Sequence, residues 1–287
     1  MAGLPNTDLP GTDLPGTGLP DPLSINQRLA LGKPLLCSWM MIPGGFLAGA
    51  FATAGLSPGL NGEKNSELGA VLLDMQHGMI GYRDMVEMVQ AINGAGSLAI
   101  VRPPLDDFAM VSRALDVGAS GIVFPMINTP DEARRLVAAA KFPPVGERSW
   151  GAYLGQSQMG LSKQDYLARA NDLNAVFAMV ETRQAMDNLD EICAVDGLDG
   201  VFVGPNDLSI SLTRGKAGDI NHSDVQKALP EIVGAARRAD IFAGIYVGDR
   251  GDIPKYDAMG FNLMPALTDA SFINQGVTTI RRELGEQ

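Results

Sequence analysis

The chain has 287 residues, of which 46% are hydrophobic and 19% charged, a composition typical of a globular protein with a large core. Its formal net charge of −11 argues against nucleic acid or an anionic membrane surface as the partner, because both require a basic surface. A small anionic substrate needs only local positive charge and is not excluded.

The two cysteines, Cys37 and Cys193, are too few for a disulfide framework or a thiolate metal site and indicate a reducing compartment. No apolar run is long enough to span a membrane. The N-terminus lacks the basic start and apolar core of a secretion signal. We therefore expect a cytoplasmic protein with no membrane partner.

Residues 1–22 form a near-repeat that reads LPNTD, LPGTD, LPGTG and LPDPL. Such a segment buries too little apolar surface to offset the entropy lost on ordering. We expect a flexible arm, disordered or laid over a neighbouring subunit. Residues 23–287 are expected to form one catalytic domain.

After the arm, short apolar runs alternate with amphipathic segments. Strands are predicted at Leu35–Trp39, Ala70–Asp74, Leu98–Arg102, Gly121–Phe124, a run from Phe177 that ends at Glu181, Val201–Val203, Phe242–Val247 and Phe261–Met264. Helices are predicted at Gly45–Ala54, Tyr82–Ala91, Phe108–Val117, Pro130–Lys141 with Thr129 as N-cap, Tyr166–Asn171, a segment after Glu181, Asp224–Ala239, Pro254–Met259 and Ser271–Leu284. The stretch 142–159 is expected to be a long functional or mobile loop.

Continuously apolar strands of this kind are buried on both faces. Eight strand–helix units predict an α/β fold, the (β/α)₈ TIM barrel. An open doubly wound sheet fits less well, because no GxGxxG turn follows the first strand.

Two acids follow neighbouring strands of this predicted barrel. Glu181 and Asp207 each come just after a strand, and one crossover helix separates the two strands. Parallel strands joined in this way end side by side, so both carboxylates are expected to face one opening. Mg²⁺ takes such oxygen ligands together with water and substrate oxygens. Either acid alone fits strand termination or helix capping equally well, but the pair favours a divalent metal.

Asp74 and His77 suggest an acid/base site. An acid that hydrogen-bonds one ring nitrogen orients an imidazole and supports its protonation. A helix-capping Asp74 and a structural His77 are the alternative. Arg102 ends a strand before two prolines, where its guanidinium is expected to face a substrate oxygen or, alternatively, a loop acid.

Gly204 begins a tight turn into a helix whose first amides, at Asn206, Asp207 and Leu208, are expected to form an anion pocket. An ordinary capped turn is the alternative. Trp39 and Trp150 are further candidates for the substrate pocket. An aromatic residue at a strand end such as Trp39 is more often part of the core, whereas Trp150 in the long loop is expected to contact the distal end of the substrate.

These residues lie in motifs that resemble those of the HpcH/HpaI aldolase/citrate lyase family of class II pyruvate aldolases. The motifs are DMQHG (74–78), IVRPP (100–104), GIVFPMINTPDEA (121–133), FPPVGERSWG (142–151), MVETRQAMDNLDEI (179–192) and GVFVGPNDLS (200–209). The resemblance covers roughly residues 30–280. Gln76 and Met179 depart from the residues found in many members.

The resemblance implies a phosphoenolpyruvate/pyruvate-type barrel, usually a hexamer built from dimers. It implies a divalent cation such as Mg²⁺, Mn²⁺ or Co²⁺ on Glu181 and Asp207, with Asp74 and His77 as the acid/base dyad and Arg102 on the keto oxygen. It also implies reversible cleavage of a 4-hydroxy-2-oxo acid, such as 4-hydroxy-2-oxoheptanedioate or 2-dehydro-3-deoxyglucarate, to pyruvate and an aldehyde.

Two rival functions stay open. One is a citrate-lyase-like or malyl-thioester lyase, which requires a coenzyme A site that no basic cluster indicates. The other is a catalytically silent barrel that binds a keto acid, if Gln76 and Met179 disable the dyad or the metal site.

Overall fold

The structure is a computed structural model that describes residues 24–53 and 69–285. The predicted arm at 1–22 and the predicted helix end at Ala54 lie outside these residues. Within them, no helix combines the length and the apolar character that crossing a lipid bilayer requires.

Eight parallel strands form a closed barrel in chain order. They are β1 (Leu35–Met40), β2 (Ala70–Asp74), β3 (Leu98–Arg102), β4 (Gly121–Phe124), β5 (Ala175–Val180), β6 (Gly200–Val203), β7 (Phe242–Ile245) and β8 (Leu263–Thr268). Each strand pairs with the next, and β8 pairs with β1. The predicted TIM-barrel fold is confirmed.

Helices surround the barrel. They are α1 (Ile25–Leu29), α2 (Gly45–Thr53), α3 (Tyr82–Gly94), α4 (Phe108–Asp116), α5 (Pro130–Ala140), α6 (Tyr153–Gln158), α7 (Lys163–Leu173), α8 (Arg183–Asp187), α9 (Leu189–Cys193), α10 (Pro205–Leu212), α11 (Ser223–Arg238), α12 (Ile253–Met259) and α13 (Asp269–Glu283), with a 3-10 turn at Arg250–Asp252. Thr129 caps α5 as predicted, because its hydroxyl accepts the Glu132 N–H.

Several predicted boundaries are wrong for identifiable reasons. The stretch 142–159 contains α6, and the segment after Glu181 divides into α8 and α9 at Asn188. The eighth strand runs to Thr268 although Pro265 has no N–H to donate. The β1–β8 ladder shifts register between Cys37 and Ser38, opposite this proline, and an irregularity of this kind accommodates it.

Aromatic rings fill the barrel interior where the neighbouring strand has a glycine. Phe177 pairs with Gly200 across β5 and β6, and Phe202 pairs with Gly244 across β6 and β7. Both rings are fully buried, and a β-carbon at either glycine would overlap the facing ring. Large and small residues on adjacent strands therefore complement each other in this core.

We expect Gly244→Ala to lower the free energy of unfolding by about 1–3 kcal/mol, because the added carbon overpacks the interior against Phe202. Urea denaturation measures the change. Gly276→Ala in α13 is the control, because its added carbon meets nothing within 4 Å. The control should be neutral or stabilising by roughly 0.5–1 kcal/mol. Equal effects of the two substitutions would contradict this account of the core.

Candidate active site

A pocket of about 200 Å³ opens at the C-terminal ends of the strands. Its lining brings together most of the predicted site residues: Trp39, Asp74, His77, Arg102, Glu181, Gly204, Asn206 and Asp207. A larger cavity of about 330 Å³ lies at the opposite end of the barrel, but its lining contains no carboxylate. Active sites of this fold form at the C-terminal end, so the smaller pocket is the candidate active site.

The carboxylate of Asp74 is the hydrogen-bonding centre of the pocket floor. Strand register places Asp74 beside Arg102. The guanidinium donates from Nε to Oδ1 at 2.9 Å and from Nη2 to Oδ2 at 2.6 Å. The Trp39 indole donates to Oδ2 at 3.1 Å. Asp74 is fully buried, so this bidentate pair is screened little by solvent.

These contacts decide the protonation state of Asp74. Burial raises the pKa of its carboxyl, but hydrogen bonds and charge from Arg102, with help from the His77 N–H and the Trp39 indole, outweigh burial and hold the pKa below its usual range. Asp74 is therefore an anion, and its role is to fix the guanidinium and the indole.

The predicted contact between Asp74 and the His77 imidazole is wrong. Asp74 Oδ1 accepts the backbone N–H groups of Gln76 and His77, at 3.0 and 3.2 Å. The barrel register brings the Arg102 guanidinium to this carboxylate, and that donor displaces the imidazole. Asp74 thus shapes the turn that carries His77, whose side chain is exposed at the pocket rim.

Arg102 keeps one nitrogen for a ligand. Its Nε and Nη2 donate to Asp74, and the guanidinium carbon lies 4.6 Å from the Trp39 ring centroid. Among the described residues, Nη1 has no hydrogen-bond acceptor. Because the side chain is 7% exposed and lines the pocket, Nη1 is the donor available to a substrate oxygen.

Glu181 is a buried acid with one protein hydrogen bond. It is 2% exposed, and its Oε1 accepts the Met126 N–H at 2.8 Å. Met126 has a left-handed backbone, with φ of 55°, in the turn that follows β4. Burial raises the pKa of the Glu181 carboxyl to about 7. The Met126 N–H and the Arg102 charge oppose this rise, and the Asp207 charge adds to it.

The lack of a side chain at Gly204 leaves space for the second carboxylate oxygen of Glu181. A β-carbon at Gly204 would overlap Glu181 Oε2, so this oxygen lies directly against the turn that leads to Asp207. Asp207 lies in the first turn of α10 and is exposed toward the opening. The two acids thus share one pocket, as their strand-end positions predicted.

The donor set suits a divalent cation with oxygen ligands. The Asp207 charge adds to the cost of ionising Glu181, and the guanidinium that faces both acids is already paired with Asp74. Within residues 24–53 and 69–285, no cluster of three or more histidine, cysteine or acidic side chains is available to a metal. Two carboxylates that leave room for water and substrate oxygens fit Mg²⁺-like ions.

The expected anion pocket is smaller than predicted. The Leu208 N–H donates to the Gly204 carbonyl at 2.9 Å and is not available to a ligand. The amides of Asn206 and Asp207 lie in the first turn of α10, where helical N–H groups have no intrahelical partner. Two amides therefore remain for a ligand beside Asp207.

The prediction that Trp150 walls the substrate pocket is wrong for this chain. Trp150 packs between Phe142, Tyr153 and Tyr166, and the Lys163 ammonium lies 4.6 Å from its ring. Helix α5 carries the chain from the C-terminal to the N-terminal end of the barrel, so the stretch after it lies away from the pocket.

Sequence reasoning missed Tyr246 and Thr268, which line the pocket at the ends of β7 and β8. Tyr246 contacts Trp39 edge-on, with ring centroids 5.3 Å apart, and burial raises the pKa of its phenol. The alternation of inward and outward residues along β7 was a signal for Tyr246. The misplaced end of β8 left Thr268 unrecognised.

Comparison with known proteins assigns this chain to a family. The family model described as HpcH/HpaI aldolase/citrate lyase matches residues 63–262. A hydroxypyruvate/pyruvate aldolase from Rhizorhabdus wittichii is 34% identical over 243 residues, which cover 85% of this chain and 91% of the relative. A 4-hydroxy-2-oxo-heptane-1,7-dioate aldolase from Salmonella dublin is 32% identical over 259 residues, with 90% and 93% covered.

Solved structures agree with this comparison. A crystal structure of an HpcH/HpaI aldolase/citrate lyase family protein from Burkholderia cenocepacia superposes with a TM-score of 0.78 at 32% identity. It covers 91% of this chain and 99% of that protein. The match therefore extends over the whole barrel and includes the strand ends that form the pocket.

We expect Asp74→Asn to lower the free energy of unfolding at pH 7 by roughly 3–5 kcal/mol, because it leaves a buried guanidinium without a counter-charge. The Asp74 pKa is lowered on folding, so the stability it contributes is present above the unfolded-state pKa and is lost as pH falls through the folded-state pKa. The difference between variant and wild type should therefore shrink in acid.

Urea denaturation across a pH series measures this difference. The control is Asp131→Asn, which breaks an exposed pair with Arg134 and should cost less than about 1 kcal/mol. A loss for Asp74→Asn that is as small as the loss for the control would contradict the buried pair as the anchor of the floor.

Proposed function

Because this chain belongs to the HpcH/HpaI aldolase/citrate lyase family, we propose that it is an aldolase that reversibly cleaves a 4-hydroxy-2-oxo acid to pyruvate and an aldehyde. The family membership confirms the resemblance drawn from the motifs. It also makes the chain an enzyme, a carbon–carbon lyase, rather than a silent binding barrel.

One observation carries the proposed mechanism. Glu181 and Asp207 enter the same pocket just beyond the ends of neighbouring strands, and the Arg102 guanidinium faces them with one nitrogen free. The two carboxylates and the single guanidinium would repel the anionic 2-oxo acid unless another positive charge joined them.

We propose that Glu181 and Asp207 hold a divalent cation, with Mg²⁺, Mn²⁺ and Co²⁺ as candidates. When bound, such a cation supplies Lewis-acid stabilisation of negative charge on the substrate oxygens. Glu181 would contribute Oε2, while the hydrogen bond from the Met126 N–H to Oε1 holds the buried carboxylate in place. Asp207 contributes from the exposed first turn of α10.

The substrate would be oriented by groups beside these acids. The amides of Asn206 and Asp207 in the first turn of α10 are placed to bind the substrate carboxylate. Arg102 Nη1 is placed to donate to the C2 oxygen, where negative charge develops as the enolate forms. Trp39 closes one wall, since its ring packs on Phe202 and Tyr246.

His77 is the proposed proton carrier, because its imidazole lies at the rim of the pocket. In the cleavage direction it accepts the proton of the C4 hydroxyl as the C3–C4 bond breaks. C4 then becomes the aldehyde carbon, and the bonding electrons pass to C3 to give the pyruvate enolate. Protonation of C3 completes pyruvate. Addition runs through the same steps in reverse.

We also propose that the chain assembles into a homo-oligomer, a hexamer or trimer of dimers, through α13. This helix carries an exposed apolar stripe at helical spacing: Ile273 (49%), Val277 (49%), Ile280 (57%) and Leu284 (72%). Exposed stripes of this kind mark protein–protein contact surfaces. The cytoplasm stays the predicted compartment, and the free, buried state of both cysteines is consistent with it.

Pyruvate release from 4-hydroxy-2-oxoheptanedioate and 2-dehydro-3-deoxyglucarate, coupled to NADH oxidation, tests the activity. We expect activity that a chelator abolishes and added Mg²⁺ or Mn²⁺ restores. Chelator-insensitive release would contradict the metal site. Failure to release pyruvate from any 4-hydroxy-2-oxo acid of a broad panel would overturn the proposed function.

We expect Arg102→Ala to lower kcat about 10²- to 10³-fold, because it removes a donor to the enolate oxygen. Arg102→Lys keeps a charge beside Asp74 and should fold even if the alanine variant does not, but it lacks the planar fork and should lose most of the activity. Arg134→Ala, at an exposed arginine, is the control. Wild-type kinetics for a folded Arg102→Lys protein would remove the guanidinium from this role.

A substitution in α13 tests the assembly. Val277→Asp places a charge in the apolar stripe and should reduce the mass measured by light scattering to that of a smaller species. Gln275→Asp, on the opposite side of the same helix, is the control and should leave the mass unchanged. A wild-type protein that is monomeric at micromolar concentration would contradict the oligomer.

A further inference from the structure

Asp269, the first residue of α13, is a buried carboxylate that the proposed mechanism does not use. It is fully buried, and it forms no ion pair with a lysine or arginine of residues 24–53 and 69–285. Its carboxylate accepts hydrogen bonds from three backbone N–H groups, those of Met41, Ile42 and Ala270. A buried charge without a counter-ion is costly, so its presence calls for a reason.

The hydrogen bonds show what Asp269 holds. Its Oδ2 accepts the Met41 N–H at 2.8 Å and the Ile42 N–H at 2.7 Å, and its Oδ1 accepts the Ala270 N–H at 2.8 Å. Met41 and Ile42 form the start of the loop that leaves β1, and Met41 lines the active-site pocket. The carboxylate therefore ties the β1 loop to the end of β8.

The β1 loop in turn holds the segment that carries His77. The Met41 carbonyl accepts the Met79 N–H at 2.8 Å. A β-carbon at Gly78 would lie 3.0 Å from both the Cα and the carbonyl oxygen of Met41, so the two backbones are in direct contact. On the other side, Asp74 accepts the His77 N–H. The His77 backbone is thus held between Asp74 and the loop that Asp269 anchors.

We propose that Asp269 is a positioning residue for His77, and that it acts through Met41 and Met79 without touching the substrate. The inference rests on the proposed aldolase function. Loss of the Asp269 charge would release the β1 loop and let the His77 turn move. The guanidinium at the end of β3 and the carboxylates that follow β5 and β6 would keep their places. Proton transfer at C4 should therefore suffer, and enolate stabilisation should not.

Two reactions separate these effects. Aldol cleavage needs the C4 proton transfer. Decarboxylation of oxaloacetate releases CO₂ and gives the same pyruvate enolate, which is then protonated at C3, without a C4 hydroxyl to deprotonate. We expect Asp269→Asn to lower kcat of aldol cleavage at least tenfold and to change oxaloacetate decarboxylation less than twofold. Asp165→Asn in the first turn of α7, far from the pocket, is the control and should change neither.

A double-mutant cycle makes the test specific to His77. If Asp269 acts through His77, then Asp269→Asn should have no further effect on aldol cleavage in a His77→Ala background. A purely structural role would reduce the activity by the same factor in both backgrounds. Asp269→Glu keeps the charge but moves the carboxylate relative to the Met41 and Ile42 N–H groups, and it should show the same division between the two reactions if Asp269→Asn does not fold.

The outcomes are distinct. An inactive wild-type protein would refute the proposed function. An active wild type with unchanged cleavage in Asp269→Asn, or with equal losses in cleavage and decarboxylation, would overturn the positioning role. Loss of cleavage alone, absent in the His77→Ala background, would establish it.

Discussion

The site depends on the buried carboxylate of Glu181, which forms no ion pair with a lysine or arginine of the described residues. The carboxylate is 2% exposed and has one protein hydrogen bond, and the charge of Asp207 adds to its cost of ionisation. The divalent cation that we propose would offset this cost, because burial of unpaired charge is otherwise unfavourable. The barrel imposes the arrangement, since β5 and β6 end side by side and direct both acids to one opening.

Arg102 offsets only part of this negative charge, because two of its nitrogens are already paired with Asp74. Asp74, Arg102 and the Trp39 indole instead form a hydrogen-bonded pocket floor. One donor of this floor, Arg102 Nη1, stays available to a ligand. Such preorganised donors stabilise developing charge without reorganising during the reaction. A 2-oxo acid adds another negative charge, which further favours a divalent cation on the acids.

The sequence predicted those features that follow from topology. Glu181 and Asp207 were located because apolar runs reveal strands and parallel strands align their ends. The partner of Asp74 was mistaken because proximity along the chain favoured His77, whereas the β2–β3 register placed Arg102 beside the carboxylate. Trp150 was mistaken for a different reason. The length of a loop does not indicate at which end of the barrel it lies, although its position after a helix indicates the N-terminal end.

Other features depend on contacts between distant segments, which a sequence pattern does not show. Asp269 anchors the β1 loop through hydrogen bonds to Met41 and Ile42, which precede it in the chain by 228 and 227 positions. The left-handed turn at Met126 that directs an N–H to Glu181 has no glycine to mark it. Neither Asp269 nor Met126 lines the pocket, and both hold residues that do.

The most direct test of the proposed cation site on Glu181 and Asp207 is a titration of Mn²⁺ into metal-free protein, followed by electron paramagnetic resonance of the free ion. Wild type, Glu181→Gln, Asp207→Asn and, as a control, Asp219→Asn would be compared at one pH. We expect one site per chain in wild type and control, and at least tenfold weaker binding in each of the other two variants. Undiminished Mn²⁺ binding by both Glu181→Gln and Asp207→Asn would contradict the proposed site.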